Sequence, residues 1–401
     1  MAETAQAGAP GLDFSEKVVV IGGGILAAMA LTVVNPVLPS IDKELAHTAF
    51  QSMLVKQLFG FTSLAMVVGA PLGAWLSQRM GMRRMLMIAA LLYTLAGTAG
   101  LYLTSLELLL VSRLLVGATA ASIQVMSLTL INIRCEGNER ARWMGLHVAV
   151  ATFCTLFIHP LSGFLGNIGW HWPFIEYFVG LILFAALAAG RDRAKPASAP
   201  AAAERRPEGS VLSWFPWHYL VLSFLIGAVT FMPTAYGPYL LKVQGGLSPG
   251  GIAAVLTAGA LIGATTSFFY GRARRVISTQ MSFAISFGLA AAGAGIAALA
   301  PYPLLLLGLA LHGIGVAWFV PNIMTALGPK VAADHQARAT GLIKMAHFLS
   351  APTCIFLQDM IAGKFGPTGA MLVVAVIAFA VFIAALYRVI TVGKAQAVAA
   401  A

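Results

Sequence analysis

Charge is what this chain has least of. Only 10% of its 401 residues are Asp, Glu, Lys or Arg, while 59% are hydrophobic. Soluble domains carry about 25% charged residues, so a water-soluble fold is excluded. Acids are the scarcer sign, with 14 Asp and Glu against 25 Lys and Arg. Cysteine is nearly absent: Cys135, Cys154 and Cys354 are scattered without ligand spacing, which removes a disulfide framework and a zinc site. No metal cluster and no nucleophile with a converging base stands out, so neither a cofactor, a metal nor a catalytic residue is expected. The first sixteen residues have neither the basic start nor the cleavage site of a signal peptide, which leaves the first apolar run to target the chain.

What is present is apolar sequence in long runs. A bilayer core needs roughly 20 apolar residues per helix. Runs of that length lie at about 17–41, 52–77, 84–104, 107–131, 142–165, 173–190, 214–241, 249–270, 276–299, 302–326, 340–363 and 367–390. The net charge of +11 follows this layout. Lys43, Lys242 and Lys364 fall on one side, Lys56, Arg113 and Lys344 fall within spans, and the remaining basic residues fall in segments on the other side. Such a bias marks the cytoplasmic side, so both termini are expected inside and nucleic acid is not expected as a partner. Between the sixth and seventh spans, GRDRAKPASAPAAAERRPEGS is rich in Pro, Ala and charge and reads as a flexible linker. The expected divisions are a tail at 1–16, a six-helix bundle at 17–190, the linker at 191–213, a second six-helix bundle at 214–392 and a tail at 393–401.

The two halves share sequence. Ala141-Arg142-x-x-Gly145-Leu146 recurs as Ala337-Arg338-x-x-Gly341-Leu342, and Gly117 recurs as Gly313 at the same offset. Parallel repeats of this kind place a substrate site near the bilayer midplane, where one half rocks against the other. VVVIGGGILAA, Val18 to Ala28, satisfies a dinucleotide fingerprint through Gly22, Gly24 and Ala27. That fingerprint needs a strand before it and an amphipathic helix after it; inside an apolar run its small residues instead let helices approach closely.

A tight basic turn between the second and third spans, GAWLSQRMGMRR, is similar to the Gly-x-Leu-x-Asp-Arg-x-Gly-Arg-Arg loop of the major facilitator superfamily. Aligned on Gly81, it offers Ala74, Leu76, Gln78, Arg79, Gly81 and Arg83, with Gln78 in place of the Asp. Three further stretches resemble the same superfamily. Arg113-Leu-Leu-Val116-Gly117 is similar to its Arg-x-x-Gln-Gly element. His159-Pro160-Leu161-Ser162-Gly163, followed by Gly166, resembles the Gly-Pro-x-x-Gly-Gly of its exporters, and Thr32-Val33-Val34-Asn35-Pro36-Val37-Leu38-Pro39 resembles a segment of its drug:proton antiporters. The resemblance implies an all-α membrane protein with twelve transmembrane helices in two six-helix pseudo-symmetric bundles.

It also implies that the first, fourth, seventh and tenth spans line the substrate cavity. Polar or aromatic residues there are Asn35, Arg113, Gln124, Tyr236, Tyr239, His312, Trp318 and Asn322; for Tyr236, Tyr239 and Trp318 an interfacial aromatic belt is the alternative. Antiporters of lipophilic cations carry an acid two residues before the Thr of the first span, where this chain has Ala30. The acids placed within spans are Glu176 and Asp359, both near the outer end, while cations and histidines are more numerous. An anionic or neutral polar solute is therefore expected. Candidates for proton coupling are Arg113, His159, His312 and His347, since the histidine pKa near 6.5 suits exchange at physiological pH. Gating candidates are Pro160, Gly163, the loop residues Gln78, Arg79, Gly81 and Arg83, and the lone Lys56 and lone Asp359. The last two lie at similar depth in the second and eleventh spans, which face each other in the superfamily.

The function these features imply is secondary transport of a small organic solute by a monomer in a bacterial inner membrane. Proton-coupled export is the expected direction, with the solute, protons and membrane lipid as partners. Proton-driven uptake of an organic anion remains the alternative within the class. A membrane-embedded enzyme or a non-transporting sensor is the alternative outside it, and the sequence offers neither a catalytic constellation nor an output domain.

Overall fold

A computed structural model describes residues 12–190, 214–327, 330–332 and 335–400. The expected linker at 191–213, most of the expected N-terminal tail (1–11) and Ala401 lie outside the described residues. Hydrocarbon offers no partner to backbone N–H and C=O groups, so apolar runs must satisfy them internally as helices. Among the described residues there is no strand. Eleven helical stretches are long and apolar enough to cross a membrane, and the last of these, Arg338–Thr391, has 54 residues. It is twice the length a bilayer needs. The chain breaks inside it at Gly366, with φ 69° and ψ −176°, just before Pro367, so this stretch comprises two spans and the expected twelve are present.

The helices are α1 (Phe14–Thr32), α2 (Leu38–Leu45), α3 (Ala49–Met80), α4 (Met82–Gly97), α5 (Leu106–Arg134), α6 (Gly137–Ile168) and α7 (Gly180–Ala189). After the linker come α8 (His218–Gly245), α9 (Pro249–Ala273), α10 (Thr279–Leu299), α11 (Leu304–Ala317) and α12 (Phe319–Leu327). The two parts of Gln336–Ala400 on either side of Gly366 are α13 (336–365) and α14 (367–400). The first span is interrupted. A 3-10 turn at Asn35–Val37 separates α1 from α2, because Pro36 and Pro39 withhold the amides that would continue the ladder. Pro39 lies in the first turn of α2, a position proline tolerates.

Packing divides the chain into two compact units. One comprises Met1–Val34, Phe61–Ile158 and His171–Arg205; the other comprises Asn35–Gly60, His159–Trp170 and Arg206–Ala401. Thus the end of the first span, the start of the second and the end of the fifth are packed with the C-terminal part of the sequence.

In the first unit, α1 starts with a reciprocal cap. Asp13 accepts from the Glu16 amide at 2.8 Å and the Glu16 carboxylate accepts from the Asp13 amide at 3.0 Å. The same Glu16 pairs with Arg134 at the end of α5 at 2.8 Å. α3 and α5 approach until backbone meets backbone: a Cβ on Gly117 would come 2.1 Å from the Thr62 carbonyl, and one on Gly69 would come 2.3 Å from that of Ala118. In the second unit α10 and α11 do the same, since a Cβ on Gly308 would come 2.3 Å from the Ala297 amide. Small residues are the usual means of close helix packing in membranes. The repeat partner of Gly117 is looser, for a Cβ on Gly313 would meet only the Gly259 carbonyl, at 3.9 Å.

The turn from α3 to α4 is the single residue Gly81, at φ 87° and ψ 145°. No atom lies within 4 Å of a Cβ built there, so substitution meets backbone strain and no clash. Gly81→Ala is expected to cost about 1–2 kcal/mol. Gly145→Ala, in α6 and equally free of neighbours, is expected to be neutral or to gain up to about 1 kcal/mol. Unfolding midpoints of the two purified variants measure the difference, and equal midpoints would show that the turn is not held at that φ.

Candidate functional site

A network of polar side chains lies inside the second unit where α2 turns into α3. Lys56 is one turn after Ser52 on α3, and this i, i+4 spacing lets its ammonium donate to the Ser52 hydroxyl at 3.0 Å and carbonyl at 3.2 Å. Its counter-ion is Asp359 of α13, with Nζ to Oδ1 at 2.8 Å and side chains 9% and 18% exposed. α8 supplies Tyr236 and Tyr239, three residues apart and therefore on one face. The Tyr236 hydroxyl donates to the same Asp359 oxygen at 2.5 Å. Both ring faces flank the ammonium, with centroids 5.5 and 5.2 Å from Nζ, within range of cation–π attraction. Asp42 of α2 completes the group by accepting from Ser52 at 3.0 Å.

Beside the network is a cavity of about 510 Å³ whose lining includes Asp42, Lys43, His47, Ser52, Tyr239 and Lys242. Its mix of charged, hydroxyl and apolar groups fits a polar solute of modest size.

More contacts close this end. Gln57 donates to the Pro352 carbonyl at 3.0 Å, and the Phe59 and Phe231 rings lie 5.3 Å apart. Asn167, at the end of α6, accepts from the Gly250 amide at 3.0 Å, satisfying one of the free donors in the first turn of α9. One turn earlier, a Cβ on Gly163 would come 2.2 Å from that of Ala253. Trp170 donates its indole N–H to Glu44 at 2.7 Å.

Four of the residues singled out by sequence, Lys56, Asp359, Tyr236 and Tyr239, therefore meet in one place. Asp42 and Ser52 are the members that sequence reasoning missed. The first span was expected to end at 41, whereas the helical stretch runs to Leu45 and brings Asp42 inside. The i, i+4 spacing of Ser52 and Lys56 was the available signal.

The other candidates are distributed elsewhere. Arg113 is 1% exposed and donates to the Tyr177 hydroxyl at 3.0 Å and to the Ala96 and Gly97 carbonyls at 3.1 Å each. Gln124 is half-buried on α5. In the second unit, His312 sets one ring nitrogen against the Ala290 carbonyl and the other against that of Val229, both at 3.1 Å. Asn322 accepts from Ser282 at 2.6 Å and donates to Ser286 at 3.2 Å. Trp318 stands at the break between α11 and α12 and donates to the Thr266 carbonyl at 2.9 Å. Asn35 is buried in the 3-10 turn. His159 is buried with Nδ1 unpaired, next to the exposed Pro160 in an α6 that runs through both without a break. The His347 ring lies tilted against that of Phe231, with centroids 4.7 Å apart. In the α3–α4 turn Gln78 is exposed, Arg79 covers the Trp75 ring at 4.3 Å, and Arg83 caps the end of α7 by donating to the carbonyls of Leu187 at 2.7 Å and Gly190 at 2.5 Å.

Helical spans of this number, with polar groups gathered inside the helices and at one end, define a multi-pass membrane protein. The chain belongs to the Major Facilitator Superfamily, whose profile matches residues 20–276 and 220–400. It is 34% identical over 154 residues to the class G tetracycline resistance protein of Vibrio anguillarum, covering 37% of this chain and 38% of that protein. It is 30% identical over 174 residues to the putative multidrug resistance protein MdtD of Salmonella newport (strain SL254), covering 41% and 35%. The chain thus matches well under half the length of either relative. Among solved structures it is similar to a D-xylose-proton symporter, with TM-score 0.75, 16% identity and coverage of 93% and 96%. At that identity the likeness speaks for the fold. This superfamily consists of transporters, not enzymes.

Arg113 generates a test. Charged hydrogen bonds contribute about 1.5–3 kcal/mol each, so Arg113→Leu is expected to lower unfolding stability by about 2–4 kcal/mol. Tyr177→Phe, which leaves the two carbonyl contacts, is expected to cost about 1 kcal/mol. Denaturant titration of both variants in detergent measures this; wild-type stability in Arg113→Leu would exclude a clamp.

Proposed function

We propose that this protein is a proton-coupled secondary transporter that exports a small anionic or neutral polar organic solute across a bacterial inner membrane. It works as a monomer, with both termini in the cytoplasm and with the bundles 17–190 and 214–392 alternating about the cavity between them. The observation that carries this reading is the Lys56–Asp359 pair. It ties the second span to the eleventh, and a bond between spans of opposite halves must break for that end to open. Tyr236, Tyr239 and Gly163 serve the same closure. Gln78, Arg79, Gly81 and Arg83 form the corresponding device at the other end, where Gln78 makes a weaker lock than an acid would. Export is supported by the resistance proteins among the relatives.

The solute class follows from charge. Cations and histidines outnumber acids in the spans, and an unpaired buried cation favours a negative or polar partner. Asn35, Gln124, Trp318 and Asn322 are assigned to the cavity walls, and Arg113, His159, His312 and His347 to proton handling. Of these, His312 has the clearest chemistry. Both of its nitrogens face carbonyls, so only the protonated ring donates to both, and a proton gained or lost there changes a bond between α11 and α8 or α10. Uptake is the second reading, favoured by the cavity with Lys43, His47 and Lys242 in its lining, which suits capture of an anion.

Two experiments test this. In proteoliposomes, a member of a panel of tetracyclines and small organic anions is expected to change internal pH only when the protein is present. No response to any member, with a correctly inserted protein, would exclude proton coupling to these classes. His312→Gln is expected to abolish the pH dependence of that response. In the second experiment, Lys56→Ala and Asp359→Ala are each expected to raise labelling of cysteines on the α2–α3 side roughly tenfold or more, since a buried charge left alone is strongly disfavoured. The charge-swapped double variant is expected to recover part of the wild-type value. Strictly additive effects would show that the gate does not depend on the pair.

A further inference from the structure

A second cavity, of about 380 Å³, lies in the second unit between α8, α10, α12 and α14. Its position is set by helix ends. His218 opens α8 and Thr279 opens α10, Lys330 follows the end of α12, and Arg388 lies in the last turn of the span Arg338–Thr391. These four are therefore at one membrane boundary. Its floor is apolar and deeper: Leu222 is one turn inside α8, Phe283 and Phe287 are one and two turns inside α10, and Ala385 and Val381 lie about one and two turns before Arg388 on α14. The cavity is a funnel with a cationic rim and a hydrocarbon interior.

Among the described residues neither Lys330 nor Arg388 makes an ion pair, and the Lys330 ammonium lies over the Tyr219 ring at 5.3 Å. Tyr219 is itself fixed by donating to the Ala326 carbonyl at 3.2 Å. The α10 start adds amides and the positive end of a helix dipole next to Thr279. Cations at the headgroup level attract anionic lipid, and basic recesses between membrane helices hold phosphate headgroups.

We propose that this cavity is a binding site for one anionic phospholipid. The phosphodiester lies between Lys330, Arg388 and His218, the Thr279 hydroxyl donates to it, and one acyl chain enters over Phe283, Phe287 and Ala385. Charge complementarity selects the head and the apolar floor selects a chain: a free phosphate lacks the chain, and a zwitterionic lipid brings, beside the same phosphodiester, a quaternary ammonium that the cationic rim repels. The proposal is independent of what the protein transports.

The test uses the purified full-length protein in detergent, with bound lipid counted by native mass spectrometry after addition of dioleoyl phosphatidylglycerol, dioleoyl phosphatidylcholine or glycerol 3-phosphate. Phosphatidylglycerol is expected to be retained about tenfold more tightly than phosphatidylcholine, and glycerol 3-phosphate is expected not to displace it. The Lys330→Gln/Arg388→Gln double variant is expected to lose that preference, and Arg388→Gln alone, which keeps the test available if the double variant does not fold, is expected to weaken it about fivefold. Ala385→Phe, which fills the floor and leaves the cations, is expected to reduce retention of both lipids at this site. The proposal is overturned by equal retention of the two lipids, by displacement with glycerol 3-phosphate, or by an unchanged preference in Arg388→Gln.

Discussion

A polar side chain inside a bilayer has no water to turn to, and that constraint decides where this protein places the few it has. Arg113 answers it with the Tyr177 hydroxyl and the Ala96 and Gly97 carbonyls, all outside its own helix. His312 answers it with carbonyls of two other helices, and Asn322 with Ser282 and Ser286 of α10. In every case the partner lies on another helix, so satisfying the group also fixes how the helices meet. Between α3 and α5, close approach of small residues at Gly69 and Gly117 adds to a hydrogen bond from the Ser122 hydroxyl to the Gly69 carbonyl at 2.7 Å.

Lys56 obeys the same constraint by different means. The partners of Arg113 and His312 are carbonyls and a hydroxyl, none of which carries a net charge. An ion pair between Lys56 and Asp359 can dissociate, provided each charge finds another environment. The ring faces of Tyr236 and Tyr239 and the Ser52 hydroxyl provide part of that environment for the ammonium, and the Tyr236 hydroxyl provides part of it for the carboxylate. Of these partners, Ser52 is on the ammonium's own helix and so stays with it.

The spans were legible because hydrocarbon imposes length and composition on any helix that crosses it, and the α3–α4 turn because a one-residue reversal at positive φ requires Gly81. The pairing of Lys56 with Asp359 followed from their matching depth together with the facing of the second and eleventh spans that the family resemblance implies. Partners distant in sequence were not legible. Nothing local connects Arg113 to Tyr177, or His312 to Val229, because a lone polar group in a span does not reveal which neighbouring helix supplies its partner. Asp42 was missed by a single residue: the first span was expected to end at 41, whereas the helix that begins around Pro39 carries the stretch to Leu45.

The position of Asp42 bears on how this end can open. A buried pair separates only if its charges are rehydrated, because the desolvation penalty of each ion otherwise exceeds what the remaining dipoles return. The limiting requirement is thus access of water to Lys56 rather than the strength of its bond to Asp359. Asp42 and Tyr239 both line the 510 Å³ cavity, Tyr239 faces the ammonium directly, and Ser52 bonds both Asp42 and Lys56. Water or solute entering the cavity therefore reaches the ammonium through groups that already hold it, and Asp42 stands ready as a second counter-ion one hydroxyl away. For the gate proposed above, opening would exchange one carboxylate for another plus hydration, which costs less than exposing a bare charge to hydrocarbon.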